Sequence, residues 1–260
     1  MTLFEAQSQY RERETIWRVF SLLPLYAALA GGRIWRWFAI NIPMDLGTGG
    51  VFTSDIDIIA RLHDFPRSRE WVYKTWEVKV GLLSKNGTGR SLKIGKIRRT
   101  KTQLNAYREF GSPHVSLLDI YVCEDGFASH NTFPPPSLSE TISSKLAELS
   151  RYGFGYQLLP FEHGRDENGD DFGLSALGLR NGLNPTRTTL NLVAPVADGP
   201  REPFLRLADR LNAFFEQSGD RPRKHSDQIV FCRECRQLQL ICMRDEQACP
   251  TCRCDLVIQS

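Results

Sequence analysis

The stretch Ser54-Asp55-Ile56-Asp57-Ile58-Ile59-Ala60 and the later Trp76-Glu77-Val78-Lys79-Val80 carry acidic and basic side chains inside apolar segments. Side chains alternate across a strand, so residues two apart share a face. Asp55 and Asp57 are therefore expected to point one way, with Ile56 and Ile58 pointing the other. Glu77 and Lys79 likewise share a face, with Val78 and Val80 packed behind them. If the two strands pair, Asp57, Glu77 and Lys79 converge on one point. Hard carboxylate oxygens suit Mg²⁺, which keeps several waters and takes one or two protein carboxylates. An ion so held acidifies a water and stabilises the transition state of phosphodiester hydrolysis. A lysine beside it screens charge developing on the phosphate. Asp55 is an alternative that replaces or assists Asp57.

A basic run follows the second carboxylate. Over residues 84–101, Lys85, Arg90, Lys93, Lys96, Arg98, Arg99 and Lys101 place seven positive charges in 18 positions with no acidic residue among them. Such a run is expected to neutralise phosphates and release counterions, making nucleic acid the partner. Lys96, Arg99, Gln103 and Tyr107 recur at helical spacing and share one face, which can look toward the carboxylates.

Six of the seven cysteines lie between Cys232 and Cys254; Cys123 is the exception. Cys232-Arg233-Glu234-Cys235 and Cys249-Pro250-Thr251-Cys252 are two Cys-x-x-Cys turns separated by 13 residues. Each turn presents two thiolates, and two turns complete a tetrahedral, closed and therefore structural Zn²⁺ site. Cys242 and Cys254 are surplus, and Cys254 competes with Cys252 as a ligand. The crowding of thiols points to metal in a reducing cytoplasm rather than to a disulfide framework.

The elements that must position these residues are partly legible. Residues 3–29 read as mostly helical until Pro24, and 33–42 are compatible with a strand or with a buried helical arm. Gly47-Thr48-Gly49-Gly50 is a turn, 51–62 and 71–83 are strands, and 84–89 form a hairpin-like turn. A helix is expected over 94–110, a buried strand over 115–123, and a helix over 139–152 with Ser139 or Thr141 as cap. Residues 156–161 and 188–196 suggest strands, 164–185 a loop, and 203–217 an amphipathic helix. Asp166, Asn168 and Asp170 belong to an ordinary acidic loop, because the glycine and glutamate of a calcium loop are missing. His63, His114, His130, His163 and His225 have no mutual metal-ligand spacing.

Bulk composition sets outer bounds. The 260 residues, 41% hydrophobic and 24% charged, suit a folded protein of one large domain with a small appendage. A net charge of +3 is too small to name a partner by itself. The best apolar stretch, 19–30, contains Pro24 and falls short of the ~20 residues a membrane span needs. The N-terminus lacks a basic region before an apolar core, so no secretory leader is expected and the location is expected to be cytoplasmic.

Asp-Ile-Asp-Ile-Ile-Ala followed by Trp-Glu-Val-Lys resembles the PD-(D/E)XK nuclease superfamily, over roughly residues 45–124. Gln103-Leu104-Asn105-Ala106-Tyr107 resembles the Gln-x-x-x-Tyr helix motif of its RecB-like members. The tail resembles a zinc ribbon. The resemblance implies an α/β, restriction-endonuclease-like mixed central sheet flanked by helices, and Mg²⁺- or Mn²⁺-dependent DNA hydrolysis. It makes Asp57 and Glu77 metal ligands and Lys79 the catalytic lysine, with Gln103 and Tyr107 supporting the site or touching a phosphate. It also implies a glutamate from the first helix, for which Glu5, Glu12 and Glu14 are candidates. No proline precedes Asp57, unlike the short form of the motif. The expected organisation is a nuclease domain over 1–217 with an N-terminal helical arm, a linker over 218–226 and a zinc ribbon over 227–260. By family analogy the role is genome defence, restriction or repair. Alternatives are a catalytically inactive nucleic-acid-binding adaptor for a partner helicase or ATPase, and an RNA-directed nuclease. A homo-oligomer remains open.

Overall fold

The computed structural model of the chain describes residues 12–20, 34–50, 54–63, 70–91, 97–124, 127, 133–164, 173–176, 199–219, 223–224, 227–243 and 245–256. The elements run α1 (Glu12–Phe20), β1 (Ile34–Pro43), α2 (Asp45–Thr48), β2 (Asp55–His63), β3 (Trp71–Leu83), β4 (Gly89–Ser91), α3 (Ile97–Phe110), β5 (Val115–Cys123), α4 (Pro136–Arg151), β6 (Gly155–Gly164), β7 (Gly173–Ala176), α5 (Glu202–Gln217), β8 (Asp227–Cys232) and β9 (Gln237–Cys242). The strands form one nine-stranded sheet in the order β7-β6-β5-β3-β2-β1-β8-β9, with β4 hairpinned onto β3. The sheet is mixed: β3, β5 and β6 are mutually parallel, whereas β1–β2 and β2–β3 are antiparallel.

Apolar cores lie on both faces. On one face α1 sets Ile16, Trp17, Val19 and Phe20 against Trp76, Val78, Val80 and Leu82 of β3. On the other, Leu104, Tyr107 and Phe110 of α3 and Phe204, Leu207 and Leu211 of α5 pack with Leu117 and Tyr121 of β5. This double burial explains why β5, all nine residues of which are buried, reads as a mostly apolar run broken only by Ser116 and Asp119. It also settles 33–42 as a strand: Trp37, Phe38, Ala39 and Ile40 are buried alternately in the two cores. A strand covered on both sides loses the polar alternation that would have announced it.

Local chemistry sets several element ends. In the expected turn at 47–50, α2 is closed by Gly49 at φ 71. A Cβ on Gly47 would lie 2.5 Å from the Pro203 carbonyl oxygen, so only glycine lets α2 approach α5 this closely. α4 begins three positions before the expected Ser139, capped by the extended Pro135 with proline in its first turn. Proline is tolerated there because the first helical N–H groups need no intrahelical acceptor. The expected loop over 164–185 is corrected at Gly173–Ala176, which forms β7 on the edge of β6. A four-residue edge strand is held by its partner's backbone and leaves little side-chain pattern. The expected strand over 188–196 and the acidic Asp166–Asp170 loop lie outside the described residues.

The cysteine-rich segment, anticipated as an appended module behind a linker, is joined to the main sheet. β8 runs parallel to β1, with Ala39↔Ile229 and Ile40↔Val230 in register, and β9 completes a hairpin on β8. Val230, Cys232, Ile241, Met243, Cys249 and Leu256 belong to the same buried core as α1. Within the expected linker, Arg223 donates to the Phe215 carbonyl at 2.8 Å and lies over the Phe215 ring. Among the described residues no helix is long and apolar enough to cross a membrane.

Candidate metal centre at the fork of β2 and β3

Strands β2 and β3 pair from His63↔Trp71 to Ile58↔Trp76. Beyond this point the two backbones separate, and Asp57 stands at the fork. Its Oδ2 accepts the Val78 N–H at 2.7 Å, replacing the ladder acceptor that β2 no longer supplies. The expectation that Ile56 and Ile58 share a face is corrected: Ile56 belongs to the α3–α5 core and Ile58 to the α1 core. Alternation is interrupted at Asp57. Across from it in β1, between Ile40↔Ile58 and Ile42↔Ile56, Asn41 has φ 52, and Ile40 and Ile42 likewise fall on opposite sides. The left-handed Asn41 turns the paired backbone over, and the Asp57 carboxylate is delivered toward β3.

Three carboxylates meet there. Oxygens of Glu12, Asp57 and Glu77 lie within 4.8 Å of one another. Glu77 and Lys79 share one face of β3 as expected, opposite Trp76, Val78 and Val80, and both are buried. The Lys79 ammonium donates to Glu12 at 2.7 Å, to the Val78 carbonyl at 2.9 Å and to Glu77. Glu12 is the first residue of α1, one turn before the buried Ile16. Of the two candidates among the described residues, Glu12 and Glu14, it is the one carried to the sheet. Glu14 lies on the same helix but outside the cluster, and Glu5 lies outside the described residues.

Tyr107 of α3 closes the back of the site. Its hydroxyl donates to Glu77 Oε2 at 2.7 Å and lies 3.0 Å from the Asp55 carbonyl, and it accepts the Asp57 N–H at 3.2 Å. At 1% exposure it is a support for the carboxylates and does not face a substrate. Gln103, one turn earlier, is half-buried, and its side chain makes no hydrogen bond to the described residues.

Electrostatics follow from this crowding. Burial, then the Glu77 and Glu12 charges, push the Asp57 carboxyl well above the ordinary range. Burial also raises Glu77, partly offset by Lys79 and Tyr107. Burial lowers Lys79, but the Glu77, Glu12 and Asp57 charges outweigh it and hold the ammonium above its ordinary range. Tyr107 is raised by burial and by the same carboxylates, so it stays a neutral donor. Clustered hard oxygens that cannot easily ionise together are a donor set suited to a divalent cation.

The other expected residues are dispersed. Asp55 is not in the cluster; its Oδ2 pairs with Arg13 at 3.4 Å and with Arg233. Lys85 is exposed on the β3–β4 turn, where its backbone N–H donates to Glu124 at 2.9 Å. Arg99 is exposed on α3. Lys101 pairs with Glu148 of α4 at 2.9 Å and lies 3.9 Å over the Tyr152 ring. Side-chain positions of Arg90, Lys93, Lys96 and Arg98 lie outside the described residues. Sequence reading missed the ion pairs of Arg13 and Arg233; neither residue belongs to a periodic pattern.

A second candidate centre is built from thiols. The sulfurs of Cys232, Cys249, Cys252 and Cys254 lie within 4.8 Å of one another. The expected ligand set is thus altered in the tightest group, where Cys254 takes the place of Cys235. Cys235 remains adjacent, 3.8 Å from Cys249, and Cys232 is 3.6 Å from Cys252. These two separations match the ~3.8 Å edge of a tetrahedron with Zn–S bonds of about 2.3 Å. The Cys254 contacts, 3.2 Å to both Cys232 and Cys252, are shorter than such an edge. The two Cys-x-x-Cys turns are also alike, since Arg236 (φ 54) and Arg253 (φ 63) each follow the second cysteine in the left-handed region. Cys242 instead donates to Asp245 at 3.4 Å. Five thiols therefore gather at one place, one more than a four-coordinate ion could take.

Compared with known proteins, the chain matches no family model, no curated protein and no solved structure.

Proposed function

We propose that the chain is a Mg²⁺- or Mn²⁺-dependent nuclease of the PD-(D/E)XK type that hydrolyses DNA phosphodiester bonds, in genome defence, restriction or repair. One observation carries this reading: oxygens of Glu12, Asp57 and Glu77, from three separate elements, lie within 4.8 Å of one another beside a buried, charged Lys79. Four thiolates of the C-terminal segment would hold a structural Zn²⁺.

Glu12, Asp57 and Glu77 would hold the divalent ion, which when bound acidifies the attacking water and offsets phosphate charge. The Val78 N–H restrains one Asp57 oxygen and Tyr107 one Glu77 oxygen, so both carboxylates are oriented beforehand. Lys79 stays protonated, and one of its three donors, now spent on Glu12, Glu77 and the Val78 carbonyl, would turn to charge that develops on a phosphate oxygen once the ion takes up the glutamates. Glu12 and Asp57 are less buried than Glu77, so a phosphodiester would meet the cluster on their side.

The test is incubation of the purified chain with plasmid, linear DNA and RNA, with Mg²⁺ or EDTA, beside Lys79→Ala. DNA cleavage is expected, abolished by EDTA and reduced at least about 100-fold by the substitution. Binding without cleavage in Mg²⁺ and Mn²⁺ would instead indicate the adaptor, and turnover of RNA alone an RNA-directed enzyme.

A further inference from the structure

The sheet register carries the thiolate turn to the same end of the molecule as the carboxylates. β8 is parallel to β1, with Ile40↔Val230, and β1 is opposite β2, with Pro43↔Asp55. Following β8 to its end brings Arg233, the residue after Cys232, past Pro43 to Asp55. There a guanidinium nitrogen of Arg233 donates to Asp55 Oδ2. Arg13 donates to the same oxygen at 3.4 Å, and Arg13 directly follows Glu12 of the metal cluster.

One carboxylate is thus shared by two guanidinium groups, so Asp55 does not occupy all the donors of Arg233. The Arg233 side chain is 45% exposed. A guanidinium has five N–H donors; apart from the Asp55 contact, those of Arg233 make no side-chain hydrogen bond to the described residues. An exposed ion pair of this kind adds little to stability. The planar guanidinium suits an acceptor that offers two oxygens side by side, such as a phosphate.

We propose that Arg233 binds a backbone phosphate of the nucleic acid beside the Glu12–Asp57–Glu77 cluster, so that the thiolate-clasped turn is part of the substrate site. This rests on the nuclease reading above. Asp55 holds the guanidinium extended toward solvent until phosphate replaces it as partner, and the thiolates fix the turn that carries it.

The experiment uses the full chain with its thiolate-bound metal in place. A short DNA duplex is titrated in Ca²⁺ at several salt concentrations with wild type, Arg233→Gln and Arg233→Lys. Loss of one phosphate contact lowers the slope of log K against log salt by about 0.9 and affinity about fivefold at 0.15 M salt. Arg233→Gln should show both changes, and Arg233→Lys should restore the slope. Thiolate-bound zinc content and melting temperature should match wild type in both variants. An unchanged slope in Arg233→Gln overturns the proposal. So does a binding loss accompanied by loss of zinc or of melting temperature, which would make the arginine only a tie between the turn and β2. If wild type binds no DNA in this titration and cleaves none in Mg²⁺, the nuclease reading fails as well, and the two wild-type measurements reveal that without any variant.

Discussion

Asp57 is placed where two strands part, and its surroundings disfavour its charge. Its carboxyl keeps its proton to a higher pH than an aspartate in the unfolded chain, through burial and the nearby Glu77 and Glu12. The folded protein therefore binds more protons than the unfolded one from the ordinary carboxylate range, about pH 4, upward. The Asp57 contribution consequently becomes less favourable as pH rises through that window, and the loss is complete above the raised value. Asp57→Asn can keep an acceptor for the Val78 N–H without carrying a charge. In EDTA this variant is expected to gain on wild type as pH increases from 4 to 8, measured by urea unfolding at each pH. Added Mg²⁺ should stabilise wild type and leave the variant unchanged. A difference that does not vary with pH would remove the electrostatic strain argued for the cluster. Sequence spacing exposed Asp57, Glu77 and Lys79. It did not separate Glu12 from Glu5 and Glu14, because that choice depends on which turn of α1 meets the sheet.

At the level of elements, the β1–β2 pair does the positioning. Asn41 has φ 52, and the two strands change faces there in step. Left-handed backbone costs most residues about 1–2 kcal/mol, while glycine and asparagine adopt it readily. Asn41→Gly should be close to neutral. Asn41→Val should lose about 1–2 kcal/mol of stability in urea unfolding. It should also depress divalent-ion binding more than Asn41→Gly does, because relief of the strain moves Asp57. Strands β3 and β5 and helix α5 were legible because their apolar patterns are long and their ends carry glycine or proline. β1 was ambiguous because it is buried on both faces, and β7 was hidden because its backbone partner alone defines it.

Across the whole molecule, the C-terminal segment and the main sheet share one core. Cys232, Cys249 and Leu256 are buried with Ile16, Phe38 and Val80. If the cysteine cluster holds the proposed Zn²⁺, stripping it with phenanthroline should therefore lower a single unfolding transition of the entire chain by at least ~2 kcal/mol, or about 4–8 °C for a chain of this size. A calorimetric scan checks this. A small separate transition with the main one unmoved would contradict the shared core. A chain ending at residue 217 should be poorly soluble, since it would bare the β1 edge now covered by β8.

The sequence by itself determined the local facts: which segments are strands or helices of sustained period, that Glu77 and Lys79 share a face, and that two thiol pairs sit on tight turns. These depend on spacing over a few residues, and backbone geometry converts such spacing directly into direction. Only the tertiary structure decided which first-helix glutamate joins the cluster, that Asp55 turns to Arg13 and Arg233, and that β8 docks on β1. Those outcomes depend on sheet register and on contacts between residues far apart in the chain, where no local period constrains the partner.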